Sequence, residues 1–215
     1  MIQLEMDQPL QSDVKSHHLR GAMASTQPDN ILFHHHHRDG QTVYAYPFIQ
    51  YKILDGQVWL VGLEKGAEAL QNLDLLETIL DLGKKQYQVA RQLVSFSKVK
   101  FGWCSHHLDY EFQTPWMALN QNNYERYHRI GDPSKKTQFL ENILVGNLLS
   151  MSKSIDYSVD NPIRIQLYEF HEVATRLKGN PMTAFKGRFS STFSIPDFWG
   201  IGKSTSRGFG TVINV

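Results

Sequence analysis

The sequence predicts an α+β protein whose antiparallel sheets are backed by helices, and three observations carry that prediction. Tyr44–Leu54 and Gln57–Leu63 are apolar runs flanking Asp55-Gly56, a two-residue hairpin signal. Gly66–Leu82 places Ala69, Leu70, Leu73, Leu76, Ile79 and Leu80 at helical spacing and stops at Gly83. Thr183–Ile195 alternates apolar and polar residues, as a half-buried strand does.

In chain order, a short strand is expected at Ile2–Met6, then a helix over Ser12–Ser25 with Ser12 as its N-cap. The hairpin and the 66–82 helix follow, and Gln86–Phe101 reads as strand in one or two pieces. This gives the first half the β-α-β-β-α-β order of a ferredoxin-like unit, assigned to residues 1–97. The second half, residues 98–215, is less regular. It offers a strand at Asp109–Gln113, a polar stretch at Pro115–Gly131, a helix at Lys136–Ser150, and strands at Ile163–Phe170 and Thr183–Ile195. An open antiparallel sheet backed by helices is also the architecture of the RNA-recognition motif.

Composition narrows the class. With 215 residues, 41% hydrophobic and 20% charged, the chain is an ordinary globular protein of one or two domains. No apolar run approaches the ~20 residues that span a bilayer, and the opening residues lack a signal-peptide pattern, so no membrane partner is expected. The single cysteine, Cys104, excludes a disulfide framework and a cysteine zinc cage, and a reducing cytoplasmic setting follows. Net charge is +1, but its distribution is uneven. From Arg176 onward six basic residues (Arg176, Lys178, Lys186, Arg188, Lys203, Arg207) stand against Asp197 alone. They interleave with Phe185, Phe189, Phe193, Phe198, Trp199 and Phe209, which marks a folded surface for a polyanion rather than a basic tail.

The chain closes on a glycine-rich cationic loop, Gly200 to Gly210, with four glycines, two cations and three hydroxyls in eleven positions. Gly200, Gly202, Gly208 and Gly210 let backbone amides approach an anion, Ser204 and Ser206 can donate to phosphate oxygens, and Lys203 and Arg207 supply charge. Gly202-Lys203-Ser204 resembles the end of a nucleotide P-loop, but Asp197 occupies the position where a P-loop needs glycine. Five residues follow Gly210, too few for the helix whose dipole would face a phosphate. The loop, with the Lys186–Arg188 edge, is read as an RNA-backbone cradle; a plain tight turn is the competing reading.

His34–His37 forms a run leading into Tyr44 and Tyr46. Histidine titrates near neutrality and serves as general acid or base, which suits cleavage of RNA by its own 2′-hydroxyl without metal or cofactor. In an extended segment His34 and His36 share one face, and His35 and His37 the other. A metal site is a weaker alternative, because no carboxylate or cysteine lies at ligand spacing nearby, and an exposed loop without function competes as well. His17-His18 and His106-His107 read more readily as surface or structural pairs.

Four stretches give the chain a family resemblance: Leu19-Arg20-Gly21-Ala22; Phe33 to His36 running on to Tyr46–Lys52; Pro115–Asn120 with Asn123-Tyr124, Gly146-Asn147 and Ser150–Lys153; and Phe185-Lys186-Gly187 through Gly202 to Gly208-Phe209-Gly210. The chain resembles the CRISPR-associated RNA-processing endonucleases of the repeat-associated RAMP superfamily. That resemblance implies tandem ferredoxin-like folds and a metal-independent endoribonuclease. It cuts precursor CRISPR RNA within its repeats, leaving 2′,3′-cyclic phosphate and 5′-hydroxyl ends. It also places catalytic histidines on His34 and His36. His35 stands where the pattern has Asn, so His35 and His37 stay in contention. Tyr44 and Tyr46 match tyrosines that donate to the phosphate or stack on a base, with a core role also open for Tyr46. Lys52 matches a lysine for charge stabilisation or backbone positioning. Pro115–Asn120 suggests packing alone. A non-catalytic RNA-binding subunit of a CRISPR effector complex is the alternative; other effector subunits and a second copy of the chain are candidate partners.

Overall fold

The computed structural model describes residues 1–34 and 46–215. It divides into two units, Met1–Lys98 with Thr205–Gly208, and Val99–Ser204 with Phe209–Val215. The architecture is the expected α+β one, with an antiparallel sheet and helices in each unit.

The first unit contains β1 (Ile2–Met6), α1 (Ser16–Thr26), α2 (Ile31–His34), β2 (Ile49–Leu54), β3 (Gln57–Gly62), α3 (Lys65–Gln71), β4 (Ile79–Leu82) and β5 (Lys85–Val94). Its sheet runs β2-β3-β1-β5-β4, every neighbouring pair antiparallel. That is a ferredoxin-like order with β4 added at one edge. The predicted hairpin is present: Leu54 faces Gln57, and Asp55 and Gly56 both have positive φ (49° and 76°), as a type I′ turn requires. α1 buries Leu19, Ala22 and Met23, an i, i+3, i+4 stripe, in a core with Ile2, Leu4, Phe33, Tyr51 and Leu60.

Two predicted elements are corrected here. α1 starts at Ser16, not Ser12. Lys15 is the extended N-cap and offers no side-chain acceptor; its amide donates to His18 Nδ1 at 3.1 Å, so the histidine at the third helical position reaches back as Glu or Gln does in a capping box. The 66–82 helix is also shorter than its apolar spacing implies. α3 ends at Gln71, and Ile79–Leu82 turns through Gly83-Lys84 to pair with Lys85–Gln88. Leu76 and Ile79, which completed the helical pattern, are 53% and 61% exposed.

The second unit contains β6 (Gly102–Phe112), α4 (Gln121–Arg129), α5 (Pro133–Ser154), β7 (Ile165–Leu177), β8 (Asn180–Ser194) and β9 (Val212–Asn214). Its sheet order is β7-β8-β6-β9, again antiparallel throughout. α5 begins at Asp132-Pro133: the Asp132 carboxylate accepts the Ser134 amide at 2.8 Å and proline occupies the first turn. Its inner face, Leu140, Leu144, Leu148 and Met151, repeats at helical spacing. The stretch Pro115–Gly131 is structured: Trp116 bridges to Phe185 of β8, and α4 is capped by Asn120, whose side chain accepts the Asn123 amide at 2.8 Å. Trp116 is fully buried and stacks on Phe112 with ring centres 5.5 Å apart and planes 6° from parallel. Among the described residues no helix is long and apolar enough to cross a membrane.

Candidate nucleic-acid interface

The glycine-rich loop leaves β8, closes on itself and enters β9. Gly200 bridges to Thr211, the Ile201 amide donates to the Gly210 carbonyl at 2.8 Å, and the Gly210 amide donates to Pro115 at 2.9 Å. Gly202 has φ +87°, and a Cβ there would lie 2.6 Å from the Trp116 indole nitrogen and 3.0 Å from Asn147 Oδ1. The indole itself donates to Asn147 Oδ1 at 3.0 Å. Two of the four stretches that carry the family resemblance therefore meet at one point, which gives Pro115–Asn120 and Gly146-Asn147 their structural purpose. They hold the base of the loop.

The loop tip is a 3₁₀ turn, Thr205–Arg207, which belongs to the first unit together with Gly208. Gly208, at φ +84°, is the tightest point of this seat. A Cβ would fall 2.4 Å from Ser16 Oγ and 3.0 Å from the Tyr51 carbonyl, so only glycine fits without displacement. Thr205 is buried, Ser206 and Arg207 are half-buried, and Lys203 is exposed.

Beneath the tip, α1 presents His17 and Arg20. Burial lowers the His17 pKa, and the charges of His18, Arg207 and Lys15 lower it further. Arg20 is likewise lowered, first by burial and then by Arg207. The two arginines, Arg20 and Arg207, repel each other and so form a field that favours a bound anion, and an anion held there would also draw His17 toward its protonated form. His17 and Arg20 are the residues that the sequence left out of the site. The neighbourhood of Leu19–Ala22 in the family pattern was the available signal.

The predicted catalytic residues are distributed unevenly. His34 closes α2; His35, His36, His37 and Tyr44 lie outside the described residues. Tyr46 is half-buried at the entry to β2. Lys52, on β2, is fully buried; its ammonium donates to Gln50 Oε1 at 3.0 Å, and burial pushes its pKa down to about 7. Tyr51, its neighbour, donates to the Phe33 carbonyl at 2.9 Å, and burial raises its pKa. In the second unit Lys186 and Arg188 lie half-buried on β8, and the Arg188 guanidinium is already held by Glu111 at 3.2 Å and Glu169 at 3.6 Å. Lys203 at the base of the loop and Ser206 and Arg207 at its tip are thus the better-placed polar groups of the predicted binding set.

A tandem of ferredoxin-like units carrying a closing glycine loop defines the class, that of the RAMP proteins. The model for the Cas6b N-terminal domain matches residues 1–100, and that for the Cas6b C-terminal domain matches residues 102–215. The chain belongs to the Cas6b family. A crystal structure of Cas6b aligns over all of both chains with TM-score 0.88 and 34% identity. Another, of a CRISPR RNA processing endoribonuclease Cas6b, aligns over all of this chain and 97% of the other with TM-score 0.78 and 32% identity. An uncharacterized protein of Methanocaldococcus jannaschii is 42% identical over 131 residues, 60% of this chain and 88% of that protein.

Proposed function

We propose that the chain is an endoribonuclease that cuts precursor CRISPR RNA within its repeats without a metal ion. The observation that carries this reading is the cationic seat of the loop tip, where Arg207 meets His17 and Arg20 of α1. The kinship with a CRISPR RNA processing endoribonuclease supports it. In the proposed reaction a 2′-oxygen attacks the adjacent phosphorus while the bond to the 5′-oxygen breaks. His36, assisted by His34, takes the 2′-hydroxyl proton or delivers one to the leaving 5′-oxygen, and the products are a 2′,3′-cyclic phosphate and a 5′-hydroxyl. Tyr44 and Tyr46 orient the phosphate. Lys52 titrates near neutrality, so accumulating negative charge draws it into its protonated form. Lys203, Ser204, Ser206 and Arg207 hold the RNA backbone.

Cleavage of the cognate repeat RNA in EDTA, with end-group analysis, tests the reading. Cyclic-phosphate ends and a loss of about 10²- to 10⁴-fold in His36→Ala are expected. Tight binding of intact RNA would replace the enzyme with a binding subunit, and dependence on added metal would remove the mechanism.

A further inference from the structure

The second unit holds a cavity of about 620 Å³ that the cleavage chemistry does not use. This is within the ~300–1,000 Å³ range of small-ligand sites. Its walls come from the start of α4, the outer halves of β7 and β8, and Lys203 at the base of the glycine loop. Val173, Pro181 and Met182 contribute apolar surface. Tyr124 stands at the rim with 47% of its surface exposed, its ring 4.3 Å from that of His128 one turn along the helix. Glu172 lies in the wall, and its Oε1 accepts the Tyr127 hydroxyl at 2.6 Å, which fixes the direction of the carboxylate.

The geometry points to a pocket that takes one unpaired nucleobase of the RNA and selects bases carrying an exocyclic amine. The inference rests on the reading of the chain as an RNA-processing enzyme and adds a specificity element to it. A carboxylate repels phosphate, so the backbone stays at the Lys203 side while the base turns inward. An oriented carboxylate is acceptor-only. It accepts the exocyclic N–H donors of cytosine, adenine and guanine, whereas uracil offers only its ring N3–H, flanked on both sides by carbonyls that the carboxylate repels. The Tyr124 ring offers a stacking face that serves any base.

Competition binding against labelled repeat RNA, using single-stranded oligo(C), oligo(A) and oligo(U) eight nucleotides long, reads the selection directly. The wild type is expected to prefer oligo(C) and oligo(A) over oligo(U) by about 10-fold. Glu172→Gln keeps an acceptor for the Tyr127 hydroxyl, so its melting temperature is retained while that ratio collapses to about 2-fold or less. Tyr124→Ala weakens all three oligomers by about 5-fold or more. An unchanged ratio in Glu172→Gln, or a wild type that shows no ratio, overturns the pocket. If repeat cleavage proceeds normally in that case, the proposed activity stands without it; if the wild type neither binds nor cuts repeat RNA, the activity itself fails.

Discussion

The two units solve the same topological problem in different ways. Each sheet places its strands in the order second, third, first, last: β2-β3-β1-β5 in one, β7-β8-β6-β9 in the other. In the first unit the connection after the third strand contains α3 and the added strand β4. In the second, the same connection is the glycine-rich loop, with no α-helix among its residues and a single 3₁₀ turn at its tip. A helix there would bury an apolar stripe on its own sheet. The loop instead anchors its base on Trp116 and Pro115 and gives its tip, Thr205–Gly208, to the other unit. The lesson is that the second repeat has exchanged a packing element for one that places cations.

The strongest way to break this comparison is at Gly208. Gly208→Val puts a branched side chain where even a Cβ lies 2.4 Å from Ser16 Oγ, on a backbone at φ +84°. Left-handed strain and steric overlap each cost roughly 1–3 kcal/mol. The variant should melt several degrees lower and lose most of its affinity for repeat RNA. A glycine elsewhere supplies the contrast. Gly146 lies inside α5 with nothing within 4 Å of an added Cβ, so Gly146→Ala should stabilise by about 0.5–1 kcal/mol. Wild-type RNA affinity in Gly208→Val would show that the tip does not depend on its seat.

Lys52 sharpens the first unit's side of the comparison. Its pKa is pushed by burial from the ordinary 10.5 to about 7. Between those values the unfolded chain binds the extra proton, so stability rises with pH through the window and carries the full burial penalty below it. The slope approaches roughly 1.4 kcal/mol per pH unit. Lys52→Met should flatten denaturation midpoints between pH 7 and 10 and raise stability at pH 6. Parallel curves for the two proteins would mean that the lysine is not desolvated.

Much of this was legible in the sequence, and what was missed has physical causes. Asp55-Gly56 announced its hairpin because a type I′ turn needs positive φ at both positions, a purely local demand. The stretch 72–82 misled because β4 is four residues long and made by pairing with β5, while Leu73, Leu76, Ile79 and Leu80 happen to fit a helical period. α4 was hidden because Tyr127 is its one buried residue, too little for a periodic stripe, although the Asn120 cap was there to be read. The composition of the glycine loop was local and therefore visible. Its seat on Ser16 and Tyr51 was not, because that contact spans more than 150 residues of chain.

The smallest expected effect separates a cation that the loop places from one that the sheet retains. Arg207 sits at the tip among positive neighbours, whereas Arg188 on β8 is held between Glu111 and Glu169. Each phosphate contact contributes about 0.7 to the slope of log K against log salt on a single strand. Arg207→Ala should weaken repeat-RNA binding about 5-fold near physiological salt and make that slope shallower by about 0.7. Arg188→Ala should leave the slope unchanged, because its guanidinium is already neutralised by its two carboxylates. Titrations of both variants from 50 to 300 mM salt, on the order of the range where counterion release dominates, decide the matter. If the slope falls in Arg188→Ala and not in Arg207→Ala, the RNA follows the face of the second unit's sheet and the exchanged loop serves only to pack.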